Sequence, residues 1–210
     1  MPIRVVLADD HVLVRQGLKS LLERGGFQVV GEASDGQEVL RQVRSLQPDI
    51  AVMDITMPIL NGLNAARELT HSFPRTKTIL LTQHDEDQYV SEALDAGVKG
   101  YVLKSQVASD LLLAIQQVSR GQVYLSPGVS RAVMEAYRSK PEKSRDRLTL
   151  RERQVLQLIA EGKSTKDIAS LLGISVKTAE SHRTRLMQKL DIHETASLVR
   201  YAVRHGIVQP

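Results

Sequence analysis

Five residues of this chain bring carboxylate, hydroxyl and ammonium chemistry to similar places: Asp9, Asp10, Asp54, Thr82 and Lys104. Each closes or directly follows a short apolar run, where a loop begins. Asp54 is the plainest case, ending Ile50-Ala51-Val52-Met53 and running into a stretch punctuated by Pro58, Asn61 and Gly62. A short apolar run bounded by turn residues reads as a buried parallel strand, and open α/β sheets bind ligands at the carboxyl ends of such strands. Three carboxylates within a few ångströms repel and raise one another's pKa unless a cation neutralises them. A hard divalent ion answers that need, and Mg2+ suits a site of a few carboxylates, backbone carbonyl and water. Lys104 then supplies fixed positive charge and Thr82 a hydroxyl donor, both fitted to a phosphoryl group. Because Asp54 is a competent oxygen nucleophile, the expected species is an aspartyl phosphate, formed by positioning and charge neutralisation. Taken singly, these residues read as a helix amino-cap, a strand end or a surface charge. Their joint occurrence at four strand ends favours a site.

The elements that must position them alternate. Strands are expected at Ile3 to Ala8, Gln28 to Ala33, residues 50 to 54, Thr78 to Thr82 and Gly100 to Leu103. Between and after them, helical patterns run from Val14 to Leu22, from Val39 to Leu46, and over about 63 to 72, 87 to 96 and 108 to 120. Strict alternation argues for a doubly wound, five-stranded parallel α/β sheet, since each right-handed crossover carries its helix over a sheet face. In the flavodoxin-like order 2-1-3-4-5 the switch point lies between strands one and three, and the five residues converge on one edge.

The alternation stops near residue 122. Residues 123 to 146 read as a partly helical linker, with a turn at Ser126-Pro127-Gly128, a short helix over Val129 to Tyr137, and a polar, charged run from Ser139 to Arg147. Residues 147 to 210 are purely helical in character. Thr149 with Glu152 and Ser164 with Asp167 have the capping-box form, Gly162 and Gly173 end helices, and Ser175 starts a third helix reaching about Lys189. A fourth covers about 194 to 205. The pair Ser164 to Leu172 and Ser175 to Lys189, joined through Gly173-Ile174, carries a helix-turn-helix signature. On its second helix Ala179, Leu186 and Leu190 fall inward, which turns Lys177, Thr178, Ser181, Thr184 and Arg185 outward, flanked by Glu180 and Arg183, with Lys189 near the end. Such a face suits the major groove of double-stranded DNA: Lys and Arg neutralise phosphates or read guanine, and Glu180 accepts from cytosine.

Charge divides along the same line. Residues 1 to 122 carry 12 Lys/Arg against 15 Asp/Glu, and residues 123 to 210 carry 16 against 9, a balance of −3 against +7. An acidic half joined to a basic half suggests two jobs, with nucleic acid the first candidate for the basic one. The chain has no cysteine, no apolar stretch long enough to span a bilayer and no basic-then-apolar leader, so a cytoplasmic protein without membrane contact is expected.

Residues 1 to 122 resemble a response-regulator receiver domain, through Asp9-Asp10, Asp54 followed by Met57-Pro58 and Gly62, Thr82, and Gly100-Tyr101-Val102-Leu103-Lys104. Residues 148 to 208 resemble the LuxR-type DNA-binding domain through Leu148-Thr149-Leu150-Arg151-Glu152, Ile168-Ala169, Leu172-Gly173-Ile174-Ser175 and Lys177-Thr178-Ala179-Glu180. Together they resemble a NarL/FixJ-type response regulator. That resemblance implies a sensor histidine kinase as phosphoryl donor, and the Thr56 carbonyl beside Asp9, Asp10 and Asp54 around Mg2+. It also implies Thr82 with Tyr101 as the switch, Tyr101 turning inward on phosphorylation. Homodimerisation and promoter binding would follow, with RNA polymerase as a further partner. Ser105 stands where many receivers have proline, and Gln83 where the family often has a small residue, a bulk expected to alter the phosphoryl lifetime. The alternative from another class is an Mg2+-dependent phosphohydrolase working through an aspartyl phosphate. Haloacid-dehalogenase-type phosphatases have a second aspartate two positions after the nucleophile, and here that position is Thr56.

Overall fold

The computed structural model describes residues 2–83, 92–127, 129 and 148–208. Their contacts divide the chain into two compact units, one holding a parallel sheet and the other the helices after residue 148. In the first unit β1 (Arg4–Ala8), β2 (Gln28–Ala33), β3 (Ile50–Asp54), β4 (Lys77–Thr82), β5 (Gly100–Leu103) and β6 (Tyr124–Leu125) form one sheet in the order β2-β1-β3-β4-β5-β6. Every neighbouring pair is parallel. All five residues of β3 are buried, which is why its sequence is a continuous apolar run rather than an alternation.

The helices α1 (Val12–Arg24), α2 (Gly36–Leu46), α3 (Gly62–Ser72) and α4 (Val107–Ser119) cover the sheet. Leu18 and Leu22 of α1 pack with Leu111, Ala114, Ile115 and Val118 of α4 over Val5, Leu7, Ile50, Val52, Ile79, Leu81 and Val102. The helix expected over 87 to 96 is described only at residues 92–95, which are helical. The expected helix over 129 to 137 and the polar run from Ser139 to Arg147 lie outside the described residues, apart from Val129.

One correction concerns the sheet. Tyr124 and Leu125, assigned to the linker, add a sixth strand beside β5, with Gly100 opposite Tyr124 and Tyr101 opposite Leu125. Ser126 fixes the chain as it leaves: its N–H donates to the Tyr101 carbonyl at 2.9 Å and its hydroxyl to Asp110 Oδ2 at 2.7 Å. The hydroxyl also accepts from the Leu103 N–H at 3.3 Å. Two residues are too few to show a strand period in sequence, and these bonds, not apolar pattern, extend the sheet.

In the second unit α5 (Leu150–Ala160), α6 (Thr165–Leu172), α7 (Val176–Leu190) and α8 (Thr195–Arg204) enclose a core that includes Val155, Leu156, Ile159, Ile168, Ala169, Leu172, Ala179, Leu186, Leu198 and Ala202. Both expected capping boxes form: Thr149 with Glu152 starts α5 and Ser164 with Asp167 starts α6. Gly173 ends α6 at φ 63°, a left-handed conformation glycine adopts without steric cost. Ser175 then caps α7 by accepting from the Thr178 N–H. Among the described residues, no helix is long and apolar enough to cross a membrane.

Candidate functional sites

The carboxyl edge of the sheet gathers the residues singled out from the sequence. Asp9 follows β1 and is fully buried, Asp54 ends β3 at 4% exposure, Thr82 ends β4 at 2%, and Lys104 follows β5. Lys104 joins two of them: its Nζ lies 2.8 Å from Asp54 Oδ2 and 2.9 Å from Asp9 Oδ2. The Thr56 N–H donates to the Asp54 carboxylate. Asp10 sits at the rim, where His11 Nδ1 lies 2.9 Å from its Oδ1 and 3.4 Å from Asp9 Oδ1.

This arrangement concentrates negative charge. Burial pushes the Asp54 carboxyl above its usual range, and the nearby Asp9 charge adds to that rise against the opposing pull of Lys104 and the Thr56 N–H. For Lys104, burial acts to lower the pKa, but hydrogen bonds and charge from Asp54 and Asp9 outweigh it and hold the ammonium above its usual value. Two buried carboxylates therefore share one ammonium, with a third, Asp10, at the rim. Asp9, Asp10 and His11 can each offer a ligand atom within 4.8 Å of the others. Oxygen-rich, partly buried and short of positive charge, the donor set fits a hard divalent cation.

The loop after Asp54 folds back tightly. The Gly62 N–H donates to the Ile55 carbonyl at 2.8 Å, and a Cβ on Gly62 would collide with the Asp54 carbonyl oxygen. Only glycine lets α3 start so close to the end of β3. Asn61 caps that helix, its side chain accepting from the Asn64 N–H.

On α7, Lys177, Thr178, Glu180, Ser181, Thr184 and Arg185 are exposed, while Ala179 and Leu186 are buried beneath them. Arg183 is half-buried and donates to Thr195 Oγ1 at 2.7 Å. Lys189 is exposed as expected and in addition makes an ion pair. Its Nζ lies 2.6 Å from Oε2 of Glu152, a residue 2% exposed, and so ties α7 to the start of α5. A buried carboxylate holds a cationic partner strongly, and helical periodicity cannot reveal a partner 37 positions away.

Two family models match: the response regulator receiver domain over residues 5–116, and bacterial regulatory proteins of the luxR family over residues 146–202. The transcriptional regulatory protein MctR of Rhizobium johnstonii is 42% identical over 98% of this chain and 95% of its own. The chain belongs to the NarL/FixJ-type response regulators. The oxygen regulatory protein NreC of Staphylococcus carnosus is 36% identical, over 98% of this chain and 99% of that one. Among solved structures, the RcsB response regulator of Salmonella typhimurium is similar at a TM-score of 0.60 and 29% identity, covering 95% of this chain and 98% of that one. RcsB in complex with DNA is similar at a TM-score of 0.61 and 29% identity, over 96% and 98%.

A response regulator of this type is a DNA-binding regulator of transcription, which gives the two sites their common purpose. For this response regulator the structure gives one position of Tyr101. Its ring is already inward at 1% exposure, beside a space lined by Ala93, Leu94, Val98, Gly100 and Leu125. A swing from outside to inside is therefore not the change open to it from this structure. Sequence reasoning also passed over His11, whose imidazole joins the acid pair. Its place directly after Asp9-Asp10 was the available signal.

Proposed function

We propose that Asp54 accepts a phosphoryl group from the phosphohistidine of a sensor histidine kinase, and that the resulting aspartyl phosphate controls dimerisation and promoter binding. The observation that carries this is Lys104, an ammonium held within 2.9 Å of two buried carboxylates at the carboxyl edge of the sheet. An Asp54 oxygen attacks phosphorus as the bond from phosphorus to the imidazole nitrogen breaks, and the imidazole leaves with its electron pair. Lys104 then exchanges its bond to Asp54 for one to a phosphoryl oxygen, and the Thr82 hydroxyl donates to another. Asp9, Asp10, Asp54 and the Thr56 carbonyl would hold Mg2+, which supplies charge neutralisation for the phosphoryl oxygens in transfer. With no second aspartate two positions after Asp54, loss of the phosphate is slow self-dephosphorylation rather than turnover, and the phosphohydrolase reading has no feature favouring it.

The signal passes by population shift. Thr82, drawn to the phosphoryl group, repacks against Tyr101 on the neighbouring strand, and the altered surface favours a second copy of the chain. Paired second units then present α7 to two half-sites of a promoter, with Lys177, Thr178, Glu180, Ser181, Arg183, Thr184 and Arg185 as the contact set and RNA polymerase as a neighbour there. The setting is the cytoplasm. Asp54→Asn tests the reading: incubated with radiolabelled acetyl phosphate and Mg2+, the wild-type chain takes up label and the variant takes up none. Label retained by the variant would overturn the assignment.

A further inference from the structure

We infer that Arg15 is a positioning residue for the acid pocket: its guanidinium, anchored on Glu32, holds the peptide between Asp9 and Asp10 so that both carboxylates face an incoming divalent cation. This rests on the phosphoacceptor reading above and names a residue that reading does not use.

Arg15 lies in the first turns of α1, its N–H donating to the His11 carbonyl at 3.0 Å. Its side chain is 15% exposed. Nη1 donates to the Asp9 carbonyl at 2.7 Å and Nε to Glu32 Oε2 at 3.3 Å. Glu32 belongs to β2 and is itself held by two further residues of α1, Lys19 at 2.7 Å and Gln16 at 3.4 Å. The guanidinium therefore links a strand end to a neighbouring strand through a fixed anchor.

The carbonyl it holds has a particular place. The β1 ladders end at Ala8, paired with Ala33 on one side and Met53 on the other, so the Asp9 carbonyl lies beyond them. The Asp9 N–H still reaches Ala33 O at 3.2 Å, and the Asp9 carboxylate accepts from the His11 N–H at 2.8 Å and from Lys104. That carbonyl belongs to the peptide that joins the two acids. Rotation of the peptide would turn Asp10 relative to Asp9 and separate the carboxylates, which mutual repulsion already favours. A planar guanidinium can satisfy both acceptors at once with a rigid fork, which a lysine ammonium cannot do. Groups that orient metal ligands from outside the ligand set typically govern affinity by about 10- to 100-fold.

The test is a calorimetric Mg2+ titration of the full chain, run beside the Mg2+ dependence of labelling by acetyl phosphate. Arg15→Met is expected to weaken Mg2+ binding about tenfold and to raise the Mg2+ needed for half-maximal labelling equally, while the rate at saturating Mg2+ stays close to wild type. A purely structural role would not produce that split. Arg15→Lys should recover only part of the affinity, and Glu32→Gln should shift it in the same direction with the circular dichroism spectrum unchanged. Should Arg15→Met fail to fold, Glu32→Gln decides. Unchanged Mg2+ affinity in the folded variants, or a fall in the saturated rate without a change in affinity, overturns the inference alone. Asp10→Asn is the control for the site: Mg2+ binding that this variant leaves intact overturns the phosphoacceptor reading and the inference with it.

Discussion

One ammonium between two buried carboxylates sets the behaviour of the whole acid pocket. Lys104 offsets part of the charge of Asp9 and Asp54 and so competes electrostatically with any divalent cation for the same oxygens. Lys104→Met should therefore bind Mg2+ several-fold more tightly in a calorimetric titration, yet lose phosphotransfer by about 100-fold, the usual cost of removing one donor from a developing anion. Weakened Mg2+ binding would show instead that the ammonium organises the acids more than it opposes the ion. These residues were legible in the sequence because their types are incongruous where they stand: an aspartate closing an apolar run, a lysine directly after one. Arg15 and Glu32 were not, because an arginine on a helix and a glutamate in a strand are ordinary until β2 pairs beside β1 and brings them together. The burial of Tyr101 was likewise hidden, since a rotamer choice leaves no mark on spacing.

At the scale of elements, the second unit depends on how its helices start. Glu152 completes the α5 capping box by accepting from the Thr149 N–H at 2.8 Å and takes the Lys189 ammonium at 2.6 Å while 2% exposed. Burial acts to raise its pKa, but Lys189 and Thr149 outweigh that and hold it below the ordinary value of 4.5. A carboxyl depressed in the folded state contributes stability that is complete above its unfolded pKa and lost as pH falls through the folded one. The contribution is therefore present at neutral pH and drains away below about pH 4.5. Lys189→Met should destabilise the second unit by about 2 kcal/mol at pH 7, the usual worth of a hydrogen bond to a charged group, and flatten the acid limb of its stability curve. Thermal unfolding followed by circular dichroism from pH 3 to 7 measures both, and an unchanged melting temperature would show the tie to be ornamental. The capping boxes were readable because they are local, three residues across. The tie to Lys189 and the strand β6 were not, since one needs a tertiary partner and the other is too short to carry a pattern.

For the whole molecule, the division of charge becomes a statement about affinity. The basic half carries 16 Lys/Arg against 9 Asp/Glu, and on its exposed α7 face Lys177 and Arg185 make, among the described residues, no ion pair like that of Lys189. Each cation that neutralises a DNA phosphate releases counterions, so binding to promoter DNA should fall steeply with salt. Lys177→Ala is expected to weaken binding evenly across sequences and reduce the slope of log affinity against log salt by about 1. Arg185→Ala, if the guanidinium reads a base, should instead cost about 1–3 kcal/mol on the cognate operator and little on random duplex. One small unit makes few base contacts, so specificity requires two copies on half-sites spaced by about one helical turn, roughly 10 base pairs. On the proposed reading, phosphorylation adds affinity through that pairing. Inserting half a turn between the half-sites should therefore abolish the gain from acetyl phosphate in a gel-shift titration, while leaving the weak binding of the unphosphorylated chain as it was. If phosphorylation strengthens binding equally on the spaced and unspaced operators, its effect lies within each copy, and dimerisation is not the route from Asp54 to the promoter.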